Sequence, residues 1–104
     1  MTSTTDVLHV FVVHLDWGSF SNHEPIITAF RSEPNAYVHT ADFLACNAHE
    51  WLDEDMQETY DAFLSDFPYD PGTATPEQAK EWVNNYAETD LYPLVTVKET
   101  QVLP

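Results

Sequence analysis

The chain has 104 residues, with 18 Asp and Glu against 3 Lys and Arg and a formal charge of −15 at pH 7. That length holds one small domain and not two independent cores, while 43% hydrophobic residues with 3 Trp, 5 Tyr and 6 Phe exclude a disordered acidic tail. The charge argues against direct binding to nucleic acid or to an anionic membrane, because both need Lys and Arg against phosphate, and it points to a basic partner.

Along the chain, the run from Val7 to Leu15 (VLHVFVVHL) is dense in β-branched and aromatic residues and lies between two aspartates, which predicts a central strand. It is preceded by MTSTTD, without a basic segment, so the start reads as a strand and not as a signal peptide. Trp17 to Glu24 (WGSFSNHE) is loop chemistry, and Ile26 to Phe30 (IITAF) predicts a second strand entered through Pro25. The two make a hairpin whose loop is longer than usual and so a candidate functional loop.

Ser32-Glu33-Pro34 has the form of a helix entrance. From Tyr37 through Ala41, Leu44, Ala48, Trp51, Leu52, Met56, Tyr60, Phe63 and Leu64 to Phe67, apolar residues recur at three and four. A single helix of that length is out of scale for so small a domain, so two helices are expected, breaking near Cys46 and Asn47. Asn47-Ala48-His49-Glu50 offers a capping-box pattern for the second. Phe67 to Thr75 is a loop with two prolines and Gly72, and Thr75-Pro76-Glu77-Gln78 is the strongest local signal of a helix start, for a helix running to about Ala87. Leu94 to Val102 predicts the last strand, paired beside the first. The expectation is one acidic α+β domain over residues 1–104, a small antiparallel three-stranded sheet in β-β-α-α-α-β order covered by helices on one face.

The placement of the acids carries more information than their number. Thirteen of them lie between Asp42 and Asp90 with Lys80 as the sole base. On the helix after Asn47, Glu50, Glu54, Glu58 and Asp61 fall opposite the stripe through Trp51, Met56, Tyr60 and Phe63, with Asp53 beside them; on the next, Glu77, Glu81 and Glu88 fall opposite Ala79, Trp82, Val83 and Tyr86. Like charges at i,i+4 cost roughly 0.2–0.5 kcal/mol per pair, so stability alone does not account for these rows. Carboxylates one helical turn apart are spaced about 6 Å along the axis, against about 3.4 Å per nucleotide for the phosphates of one duplex strand, and two such helices approximate a phosphate backbone. A halophilic source would produce the same acid excess for hydration and solubility, and the sequence leaves both readings open.

On size, charge and these rows the chain resembles the small acidic inhibitors that mobile genetic elements make against host nucleic-acid enzymes: anti-restriction proteins, anti-CRISPR proteins and uracil-DNA glycosylase inhibitors. The opening strand-loop-strand (VFVVHLDWGSF, IITAF) and the closing YPLVTVKET are also similar to small phage accessory proteins. The resemblance is to a class without a common fold or motif. It implies a non-catalytic DNA mimic in the host cytoplasm, acting on a basic nucleic-acid-binding host protein.

Other chemistry is sparse. His39, Asp42, Cys46 and His49 share a face only if a helix runs unbroken through Cys46, and one helix supplies at most two or three ligands to an ion, so no metal or other cofactor is expected. Cys46 with His49 is the only nearby nucleophile–base pair, a lone cysteine among alanines reads as a core residue, and two glycines, Gly18 and Gly72, allow no phosphate loop. The chain therefore reads as no enzyme. Trp17 and Phe20, in the long loop, are candidate interface anchors or fold back over the sheet. The alternative function is a protein-binding module using the Trp17–Phe20 loop or a sheet edge, with acidity serving solubility. Monomer and dimer both remain open.

Overall fold

A computed structural model describes residues 8–18, 24–89 and 91–102. The apolar run ahead of Trp17 becomes the centre of a sheet. Strands β1 (Leu8–Asp16), β2 (Ile26–Phe30) and β3 (Leu94–Val102) are all antiparallel in the order β2-β1-β3, and helices α1 (Glu33–Asn47), α2 (Glu54–Asp66) and α3 (Pro76–Ala87) lie between β2 and β3 in the chain. The architecture is the expected α+β one, with the first strand extending through Asp16, one residue past its apolar run.

Register follows from alternation. Val13 stands opposite Thr28 on β2 and Val97 on β3, and Leu15 opposite Ile26 and Val95. Side chains two apart share a face, so Phe11, Val13 and Leu15 point with Val95 and Val97 into a core completed by Trp17 and Ala36. At the end of β1 the Gly18 N–H donates to Asp16 Oδ1 at 2.8 Å, and Gly18 has φ +88°, where a side chain would be strained.

Each helix starts where a side chain satisfies its free N–H groups. Ser32 accepts from the Asn35 N–H, and Thr75 forms the full capping box: its Oγ1 accepts from the Gln78 N–H at 3.2 Å, while Gln78 Oε1 accepts from the Thr75 N–H at 2.8 Å. α1 packs on β1 and β2, and α3 on β3. Between α1 and α3 the contact is made by small and compact residues, Ala41, Leu44, Ala79 and Val83, all fully or almost fully buried. α2 joins through rings: Phe63 lies 5.4 Å from Trp82 and 5.8 Å from Tyr86, both edge-on.

Three tyrosines are tied into this core. The Tyr86 hydroxyl donates to the Tyr92 carbonyl at 3.0 Å and the Tyr69 hydroxyl to Asp42 Oδ1 at 2.6 Å. Burial pushes the Tyr60, Tyr69 and Tyr86 hydroxyls above their ordinary 10.0, helped at Tyr69 by the Asp42 carboxylate and at Tyr60 by Asp61. Above pH 10 the unfolded chain loses tyrosine protons that the folded one keeps. The tyrosines' contribution to folding stability is therefore expected to be level below that pH and to fall as pH rises beyond it. Urea unfolding at about pH 8 and pH 11 checks this, and an unchanged midpoint contradicts it.

Candidate partner interface on the helices

α1 ends at Asn47, where the break is expected, but the second helix starts later than the capping pattern at Asn47 suggests. Asn47 caps nothing; its amide donates back to the Phe43 carbonyl at 2.9 Å and stays with α1. Ala48–Glu50 is a single 3-10 turn, followed by Trp51, which stacks on Phe43 at 5.8 Å and meets Trp17 edge-on at 5.4 Å. Only then does α2 start, with Asp53 as its cap, accepting the Met56 N–H at 2.8 Å. Glu50 is thus in the connecting turn and outside the helical row, which corrects the expectation that Glu50 and Glu54 sit one turn apart on one helix. Asp53 joins the site with two roles, cap and surface charge.

On α2, Glu54, Glu58 and Asp61 are all exposed, opposite the buried Tyr60 and Phe63. Asp61 accepts from the Gln57 amide at 2.9 Å. On α3, Glu77 and Glu81 are exposed opposite Ala79, Trp82, Val83 and Tyr86. Glu88, also exposed, is the residue that caps the C-terminal end of α3. A carboxylate there meets the negative end of the helix dipole, and none of the three helices carries a basic residue in its last turn.

Cations do not offset the rows. Among the described residues, Lys80 Nζ pairs with Glu33 at 2.9 Å and lies 5.5 Å from the Tyr37 ring centre, and His9 meets Glu99 at 3.3 Å. No row carboxylate has an ion-pair partner among the described residues. The strands are different: their acids are Asp16 and Glu99, and the face of the sheet away from the helices presents Val10, Val12, His14, Ile27, Ala29, Thr96, Lys98 and Thr100 with Asp16 as its one acid. Negative charge is segregated onto the helical side.

The loop anchors divide. Trp17 is 7% exposed and packs into the sheet core with Val13, Leu15 and Ala36. It is therefore no surface anchor, because closing the β1 core against Trp51 buries its ring. Phe20 lies outside the described residues. His39 packs on the Phe30 ring at 5.1 Å, Cys46 is exposed on α1 and not the core residue expected, and no group of three or more His, Cys, Asp or Glu suited to a metal ion occurs among the described residues. No helix among them is long and apolar enough to cross a membrane. Helical periodicity assigned Trp82 to the core, where it is, but concealed that the loop at 67–75 leaves an opening beside its ring.

No family model matches the chain, and no curated protein or solved structure matches it.

Substitutions at two positions separate charge from architecture. Glu58→Lys replaces a repulsive pair with Glu54 by an attractive one in the favourable order and is expected to stabilise the fold by roughly 0.5 kcal/mol, read as a higher urea midpoint. Asp53→Asn keeps a capping oxygen and is expected to leave stability nearly unchanged, whereas Asp53→Ala costs about 1 kcal/mol. Equal losses for both variants would contradict the capping role.

Proposed function

We propose that the chain is a non-catalytic, phage-type inhibitor that blocks the basic nucleic-acid-binding site of a host defence or DNA-processing enzyme by presenting carboxylates in place of DNA phosphates. Anti-CRISPR and anti-restriction action are the kinds intended. The observation that carries this reading is the one-sided charge: exposed acids in like-charge rows on α2 and α3, without cation partners among the described residues, beside a sheet whose strands hold two acidic residues. Acidification for solubility alone would serve the sheet face equally. A rigid array of carboxylates loses less freedom on binding than a flexible polyanion, and both helices are held by caps and by buried rings. Glu54, Glu58 and Asp61 form the first contact row and Glu77, Glu81 and Glu88 the second, with Glu50 and Asp53 at the entrance of α2.

A second reading rests on β3. It lies at one edge of the sheet, nine residues long, with Leu94 and Val102 about half exposed, and such an edge is a template for a partner strand. On that reading the acidity serves solubility.

Capture from bacterial lysate at about 50 mM and 500 mM salt separates the two, since the higher salt shortens screening to a few ångströms. Mimicry predicts a nucleic-acid enzyme retained at low salt, released at high salt and displaced by duplex DNA. Retention that survives high salt and excess DNA contradicts mimicry and favours the β3 edge.

A further inference from the structure

Between the loop at 67–75 and the first turns of α3 lies a cavity of about 460 Å³, a size common to ligand sites. Phe67, Tyr69 and Trp82 line it, together with the exposed side chains of Asp70, Gln78 and Glu81. Tyr69 and Trp82 have ring centres 5.1 Å apart at 35°. Their polar atoms are already engaged, the Tyr69 hydroxyl with Asp42 at 2.6 Å and the Trp82 indole N–H with the Phe67 carbonyl at 2.9 Å. What the cavity offers a guest is the ring surface of the half-buried Phe67 and Tyr69, backed by Trp82, which is 3% exposed and stacked with Tyr86.

Among the described residues, the ionic groups lining the cavity are the carboxylates of Asp70 and Glu81. Lys80, the nearest base in sequence, is engaged elsewhere, with Glu33 and the Tyr37 ring. An anion is repelled there, and a neutral apolar guest would strip water from Asp70 and Glu81 without replacing it. A cation that stacks on rings while donating to carboxylates satisfies both walls, and a guanidinium does so better than a compact ammonium because it is planar and weakly hydrated. The walls are also preformed. Trp82 is held by Phe63 and Tyr86, Tyr69 by Asp42, and Gln78 by the capping box, so little ordering accompanies binding.

We propose that this cavity is a receptor for an arginine side chain, donated by the basic partner. The assignment of the donor rests on the function proposed above; the chemistry of the site does not. It adds to the acidic rows one short-range stacked contact, too weak by itself to hold the partner once salt screens the rows.

The test titrates N-acetyl-arginine amide into the isolated protein at about 150 mM salt and follows the Trp82 indole N–H by NMR, with N-acetyl-citrulline amide as the neutral isostere. The indole signal is identified from Trp17→Phe and Trp51→Phe spectra. A saturable shift is expected with a dissociation constant of roughly 1–10 mM, and none with the citrulline compound. Asp70→Asn combined with Glu81→Gln keeps the turn acceptor at Gly72 and the helix, and is expected to weaken arginine binding about fivefold or more. Glu99→Gln, on β3 and outside both the cavity lining and the acidic rows, is expected to change it less than twofold. An unmoved indole signal, equal shifts from citrulline, or full affinity in the double variant would overturn the proposal. Because no partner is present, failure here is distinct from failure of lysate capture, which leaves the cavity's chemistry intact and removes only the donor.

Discussion

Phe63 holds together surfaces that repel one another. Its ring contacts Trp82 and Tyr86 on α3 and Phe67 at the end of its own helix, with Tyr60 stacked 6.5 Å away. A chain of charge −15 places rows of carboxylates on two neighbouring helices, and self-repulsion of that kind opposes compaction. Aromatic side chains bury large apolar areas and prefer edge-on or offset contacts. Between α2 and α3 the ring contacts are those of Phe63 with Trp82 and Tyr86, with Met56 and Leu64 packed against the same core. This packing keeps the helices together, and by fixing which face of each is buried it also fixes which face carries the acids outward.

That division of labour explains the asymmetry of the molecule. The sheet core needs alternating Val, Leu and Phe on one face and tolerates neutral residues on the other, so its strands carry few charges of either sign. The helices carry the electrostatic character. Their local sequence departs from what stabilises helices: no basic residue in a final turn, an acidic residue at the C-terminal cap of α3, and glutamates one turn apart. Good capping at Ser32, Asp53 and Thr75 offsets part of that cost. A domain that accepts such terms on two helices and avoids them on three strands is organised around an acidic surface on one side.

Local chemistry made much of this legible before any coordinates. The IITAF strand, the Ser32 entrance, the Thr75 capping box and the β3 strand stand where pattern and turn residues put them, because each is decided by a few neighbouring residues. The readings that needed correction depended on contacts distant in sequence. Asn47 matched a capping pattern, yet the Trp51 ring, packed against Trp17 and Phe43, moved the start of α2 to Asp53 and took Glu50 out of the row. Trp17 sat among loop residues, and its burial depends on a core assembled from β1, α1 and the Trp51 turn. The cavity at Trp82 was invisible for a similar reason, since helical periodicity shows that a ring faces inward and not whether the loop above covers it. Tyr69 meets Asp42 across 27 residues of chain, a pairing no local pattern announces.

The most direct test of the acidic rows is the association rate with the captured enzyme, measured across ionic strength for the native chain and for Glu54→Lys/Glu58→Lys. Electrostatic steering through these rows predicts a native rate that falls steeply with salt and a variant slower by about tenfold at low salt, with a flatter dependence. Equal rates and equal salt slopes for the two proteins would contradict the account.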